Sequence, residues 1–160
     1  MTDSTLIKIR SINQPNRQDE ATLALRAVTE KRAATIAYML DEAAQSGLDD
    51  SHARKAIAHY GADNGRVMAA SMQNPDNLVE FAQTFTSGLE AHVYEMETVV
   101  ANADEFIVHF HYCPYVNKWL QQQRGAAEIH RLCDVCLEGD NAITRGFSQL
   151  AFDPVKAIAR

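Results

Sequence analysis

The sequence predicts an α+β domain: N-terminal helices followed by a small antiparallel sheet with two helices inserted, in the order hairpin, helix, helix, strand. Three observations carry that prediction. Residues 19–88 repeat apolar side chains near helical spacing and are rich in alanine. Beyond Gly88 the strand-favouring residues Val93, Tyr94, Thr98, Val99 and Val100 gather in one stretch. Regular βαβ alternation and a glycine-rich phosphate loop are both missing, which argues against a doubly wound parallel sheet.

Taken in order, residues 1–18 read as a loose arm. Residues 19–44 form a first helix, with Leu25, Val28, Arg32, Ile36, Met39, Leu40 and Ala43 near helical spacing and Gly47 as its stop. A second helix starts after Asp49, Asp50 or Ser51, all good N-caps, and runs to the Gly61 region, with residues 62–72 continuing it or forming another. Asn74-Pro75 supplies a cap and a first-turn proline for a helix carrying Leu78, Val79, Phe81, Ala82 and Phe85. Residues 91–101 and 106–113 then read as strands joined by a turn at Asn102-Ala103-Asp104. Pro114 opens a short helix through Val116, Trp119 and Leu120, with Trp119 packing it onto the sheet. Residues 126–138 form another helix, with Ile129, Leu132, Val135 and Cys136 on its apolar side and Gly139 as its end, and residues 146–152 form a third strand. All of this fits one domain: an arm over 1–18, a helical part over 19–88 and an α+β part over 89–160.

Bulk properties narrow the function. The chain has 160 residues, enough for one core, is 46% hydrophobic, and carries a formal net charge of −6. No basic stripe is present, which argues against a nucleic-acid partner; Lys31-Arg32 and Arg54-Lys55 read as solvated helix faces. The start lacks the basic-then-apolar order of a secretory signal, and no apolar run reaches spanning length, so a cytoplasmic protein without a membrane partner is expected. The 3 cysteines, an odd number, suggest reduced thiols rather than a disulfide framework.

The chemistry gathers in one apolar stretch, Phe106-Ile-Val-His-Phe-His-Tyr-Cys-Pro114. On a strand, Phe106, Val108, Phe110 and Tyr112 share one face, and His109, His111 and Cys113 the other. Cys113 then sits at the cap of the helix that Pro114 opens, where unpaired N–H groups and the helix dipole favour thiolate, and His111 is placed to act as its base. The bland alternative is an inert, buried thiol. Cys136 and Asp140 are four apart on a helix and face the same way, so Asp140 is placed to orient a water or bind a substrate amine; the commoner case is a solvated residue at a helix end. Tyr112, Tyr115 and Trp119 flank the cysteine as packing residues or as an aromatic pocket wall, with His109 beside them. Cys133-x-x-Cys136 lacks the βαβ context of a redox motif and the second paired motif of a structural zinc site. Candidate metal ligands are His109, His111, Cys113, Cys133 and Cys136, with His130 nearby. No cofactor is the primary expectation, and zinc the alternative.

The segment Tyr112-Cys113-Pro114-Tyr115 followed by Trp119 resembles the first signature of the L-2-amino-thiazoline-4-carboxylic acid hydrolase family. The run Cys136-Leu-Glu-Gly-Asp140 is similar to its second, and Gly146-Phe147 through Leu150, Phe152 and Ala157-Ile158-Ala159-Arg160 to its closing part, so the resemblance covers roughly residues 90–160. The family pattern continues past that arginine with Gly-Asp and a later cysteine on another strand; the sequence ends at Arg160, so no role carries over from that cysteine. The resemblance implies hydrolytic opening of a cyclic amidine-like thioether ring, from 2-aminothiazoline-carboxylate toward S-carbamoyl-cysteine. A covalent route would use Cys113 as nucleophile, His111 to move protons and Asp140 to hold the ring amidine, with Cys136 in the same site. A metal-assisted route would use His109, His111 and a cysteine on zinc. The competing class is a non-catalytic module binding a small molecule or a partner. A homo-oligomer is also expected, because the helical half offers more apolar surface than a small sheet covers.

Overall fold

The computed structural model describes residues 4–153. Helices α1 (Ser4–Ile12), α2 (Glu20–Gln45), α3 (Ser51–Ser71), α4 (Leu78–Phe85) and α5 (Gly88–Val93) precede a hairpin of β1 (Met96–Ala101) and β2 (Phe106–Phe110). Helices α6 (Pro114–Gln121) and α7 (Ala126–Ile143) follow, and a 3-10 turn covers Thr144–Gly146. The fold is α+β, as the sequence pattern predicts. Among the described residues, no helix is long and apolar enough to cross a membrane.

The long helices begin and end for local reasons. The Asp19 carboxylate accepts from the Thr22 N–H at 3.0 Å and caps α2. At the other end Gly47 takes φ +75°, and the Gly47 and Leu48 N–H groups return to Ala44 and Ala43. Helix α3 runs unbroken through Gly61 and Gly65 because α7 packs against those glycines at backbone contact: a Cβ on Gly61 would overlap the Gly139 carbonyl, and one on Gly65 the Ile143 carbonyl. The same contact explains why Gly139 does not end α7. It is an interior position kept bare for α3, and the helix continues to Ile143.

Other boundaries correct the sequence reading. Asn74 forms a turn with its own side chain, and the cap of α4 is Asn77, whose Oδ1 accepts from Val79 and Glu80 N–H. The first residues assigned to a strand, 91–93, belong to α5, which is closed by Tyr94. The hairpin turn is as read: Asn102 Oδ1 accepts from the Asp104 and Glu105 N–H groups. Strand β2 ends at Phe110, yet His111 N–H and Tyr112 N–H still donate to Glu95 and Tyr94 carbonyls, so the pairing fades rather than stops. No third strand forms over 146–152: Phe147 is buried against Phe81, with ring centroids 4.9 Å apart, and that anchor holds the segment as an irregular path. The closing residues of the family resemblance, Ala157 to Arg160, lie outside the described residues.

Residues 4–18 are a docked helix and strap rather than a loose arm. Ile9 enters the main core with Leu40, Trp119, Ile129, Leu132 and Val135, a burial worth about 1.5–3 kcal/mol. Further along, the backbone N–H groups of Asn16 and Arg17 donate to the Glu95 carboxylate at 2.7 and 2.8 Å. Arg26 completes that knot, donating to Glu95 at 2.9 Å and to the Val93 and His92 carbonyls while its guanidinium stacks 4.5 Å from the Tyr112 ring. Burial raises the cost of the Glu95 charge, but the donors from Arg17, Arg26 and Asn16 outweigh it and hold the carboxyl below its usual range. These bonds also sustain the left-handed φ of +50° at Glu95. A second core, of Met72, Phe81 and Phe147 with Phe85 and Phe106 against it, supports the hairpin.

Candidate functional site at the start of helix α6

Strand alternation places the hairpin side chains as the pattern requires, up to His111. Phe106 and Phe110 meet the Phe81–Phe85 cluster, whereas His109 and His111 are exposed. His111 Nε2 lies 2.6 Å from Glu97 Oε2, and the two imidazole rings stand 6.3 Å apart. Beyond β2 the chain turns inward. Tyr112 is buried beneath Arg26, and Cys113 is the extended N-cap of α6, with φ −129° and ψ 110° and Pro114 behind it. The structure therefore does not bring His111 to the Cys113 thiol; the imidazole is held by Glu97 on the outer face.

What it brings to Cys113 comes from four other elements. Asp140 acts electrostatically on Cys113, Cys136 and Tyr94, and Cys113 acts on Cys136, Tyr94 and Tyr115. Arg32, on α2, favours negative charge at Tyr94, Tyr115 and Cys136, and its guanidinium lies 4.1 Å from the centre of the Tyr60 ring. The cluster thus joins the N-terminus of α6, one face of α7, the C-cap of α5, and the facing sides of α2 and α3. The close glycine crossing of α3 on α7 sets Asp140, the residue after Gly139, into it.

Burial dominates the electrostatics. It pushes the Cys113 thiol up to about 11, against the lowering effect of the Val116 and Tyr115 N–H groups at the helix start. The helix-cap contribution expected from the sequence is present and is outweighed by desolvation. Burial likewise raises Cys136 to about 12 and Asp140 to about 6. Tyr94 and Tyr115 are pushed well above the ordinary phenol value for the same reason. At pH 7 the cluster therefore holds neutral thiols and phenols, a mostly ionised Asp140 carboxylate, and a guanidinium. Among the described residues no carboxylate pairs with Arg32, whereas Arg26, Arg54, Arg66 and Arg124 each have one.

The remaining sequence-predicted residues fall outside this chemistry. Trp119 is fully buried and donates its indole N–H to the Ala33 carbonyl at 3.0 Å, so it packs α6 onto α2 rather than onto the sheet. Tyr115 lies in the cluster, its ring edge against Trp119. None of Cys113, Cys133 and Cys136 is in a disulfide; Cys133 packs against the main core. His130 faces Asp134 one turn along α7 at 3.7 Å. Among the described residues, no three His, Cys, Asp or Glu side chains are arranged to hold a metal ion. Sequence reading passed over Arg32, Tyr60 and Tyr94. Arg32 sits on the solvated Lys31-Arg32 face that the sequence indicates, and from that exposed position its guanidinium covers the Tyr60 ring.

A family model described as L-2-amino-thiazoline-4-carboxylic acid hydrolase matches residues 26–159. The match reaches back through the helical part, well before residue 90, and takes in Arg32 and Tyr60 as well as the cysteines. No curated protein and no solved structure matches the chain.

Proposed function

We propose, from the premise that this chain belongs to the L-2-amino-thiazoline-4-carboxylic acid hydrolase family, that it opens a small cyclic amidine bearing a carboxylate, with Cys113 as nucleophile and Asp140 as proton acceptor. The observation that carries the reading is the meeting of Cys113, Cys136 and Asp140 with Arg32, a cation lacking a carboxylate partner among the described residues.

The carbon between ring nitrogen and ring sulfur is the electrophile. The Cys113 sulfur bonds to it as the thiol proton passes to Asp140. The ring C–N bond then breaks, and the departing nitrogen takes that proton. Water adds to the same carbon, the Cys113 sulfur leaves as thiol, and an S-carbamoyl thioether remains. One water is consumed and nothing is oxidised or reduced. A thiol held up at about 11 by burial, and raised further by the Asp140 charge, does not ionise unaided at neutral pH, so a base must take its proton as the sulfur attacks. Asp140, titrating at about 6, is ionised yet basic enough to serve. An amidinium entering the cluster would pair with Asp140 and reduce the cost of thiolate. Arg32 would grip the carboxylate through its planar fork of donors. Tyr94 and Tyr115, both neutral, supply hydroxyl donors toward the adduct.

The test is ring opening of 2-amino-thiazoline-4-carboxylate by the purified chain, compared with the same ring lacking its carboxylate. The acid should be turned over and the decarboxylated ring should be poor by about tenfold to a hundredfold, the worth of one charge-assisted contact. Arg32→Gln should erase that preference. Equal turnover of both rings, or binding without turnover, would contradict the reading; the latter is the behaviour of a binding module. Turnover is expected to survive chelator treatment, and its loss would instead favour the zinc route.

A further inference from the structure

Cys113 is gripped from outside the family-matched segment. Asn13, one residue past the end of α1, is only 3% exposed. Its Oδ1 accepts from the Cys113 N–H at 2.7 Å, and its Nδ2 donates to the Cys113 carbonyl at 3.1 Å. One side chain thereby satisfies both backbone polar groups of a single residue 100 positions away. The carbonyl also receives the Asn117 N–H, the first bond of α6, so the amide joins the helix start at its N-cap.

We infer that Asn13 is a positioning residue for Cys113, and that helix α1 and its strap form part of the reactive site rather than an appendage. An N-cap outside the helix and past the end of a strand is set by few bonds of its own. Cys113 is extended, follows the last strand-like bond at Tyr112, and precedes a proline that donates nothing. Without Asn13 its part-buried N–H would lose its acceptor, a state native structures avoid. With Asn13 in place, the peptide plane on each side of Cys113 is fixed. The sulfur is then held toward the Tyr115 and Val116 N–H groups and the Asp140 side of the cluster. Ile9, one turn earlier, seats the helix in the main core, and the Asn16 and Arg17 bonds to Glu95 close the strap beyond it. Asn13 is the part of this arm that touches the cysteine.

The inference takes Cys113 as the reactive centre, but its test needs no substrate, so it stands apart from a failure of the hydrolase reading. Iodoacetamide labelling at pH 8, resolved by residue with mass spectrometry, gives the ratio of Cys113 to Cys136 modification in the full-length chain. Asn13→Leu keeps the volume and removes both bonds; releasing the cap should expose the sulfur and raise that ratio about tenfold. Asn13→Asp keeps the acceptor for the Cys113 N–H, loses the donor and adds a negative charge that disfavours thiolate, so a smaller rise, about threefold, is expected; this variant decides alone if the leucine protein does not fold. Ile9→Ala loosens the helix without touching Cys113, and should lower Tm while leaving the ratio within about twofold of the unaltered protein. An unchanged ratio in both Asn13 variants, or a rise in Ile9→Ala equal to theirs, would overturn the inference.

Discussion

The outer face of the hairpin and the cluster at the start of α6 are built from consecutive pieces of one stretch, yet they differ in every property that matters for chemistry. Outside, His109 and His111 are solvated and His111 spends its polar edge on Glu97. Inside, two residues later, Cys113 has no histidine beside it and meets Cys136, Asp140, Tyr94 and Tyr115. An exposed pair such as His111–Glu97 is worth at most about 1 kcal/mol. Burial pushes Cys113 up to about 11 and Asp140 up to about 6. The difference teaches that reactive side chains two apart in sequence need not share a site. Where the chain leaves the sheet and enters a helix, the face they belong to changes.

Five substitutions would break or sharpen that contrast. Cys113→Ala should have the largest effect, lowering kcat for ring opening by about a thousandfold or more while the fold persists, as measured by steady-state turnover and circular dichroism. Asp140→Asn comes next, with a loss of about a hundredfold. In the unaltered protein, kcat/KM should rise with pH through about 6 as Asp140 loses its proton. Stability should move oppositely. Asp140 titrates near 6 when folded, above the ordinary carboxyl value of 3.8, so the folded state holds the proton more tightly. Its stabilising effect is complete below 3.8 and is lost as pH rises through 6. Asp140→Asn should therefore be more stable than the unaltered protein at pH 7.5 by about 2–3 kcal/mol, with the gap closing by pH 4 in denaturant titrations.

Gly61→Ala tests the scaffold beneath the cluster. The new methyl would meet the Gly139 carbonyl. Overpacking against backbone costs about 1–3 kcal/mol or more, and the better helix propensity of alanine returns less than about 1. A net loss of about 2 kcal/mol, and a Tm fall of about 4–8 °C, is expected by thermal melting. The smallest effect belongs to the outer face. His109→Ala and His111→Ala should each change stability by less than about 0.5 kcal/mol and turnover by less than about twofold. A large fall in turnover for His111→Ala would move the site back to the hairpin.

The order of helices and hairpin was legible because it depends on local signals. Asp19 and Gly47 bracket α2, Asn102 makes the turn, and Pro114 starts α6. Position in space was less so. Gly139 reads as a helix stop in sequence, and only the approach of α3 shows it to be a contact point inside α7. Cys136 and Asp140 were found through their four-residue spacing, which a helix translates directly into a shared face. Arg32 and Tyr94 were missed because nothing local marks a residue whose partners lie on other helices. Asn13 was missed for the same reason: its partner is 100 residues away. The third strand failed because Phe147 fills a hole in an aromatic cluster, a tertiary reason that strand propensity does not contain.

The central claim, that chemistry centres on Cys113 within the half-buried cluster, is tested most directly by trapping the enzyme during turnover. Acid-quenched protein, saturated with 2-amino-thiazoline-4-carboxylate and digested for mass spectrometry, should carry the mass of the ring on the Cys113 peptide. The same adduct should persist in His111→Ala and vanish in Cys113→Ala together with turnover. A Cys113→Ala protein that opens the ring at the unaltered rate would contradict the account.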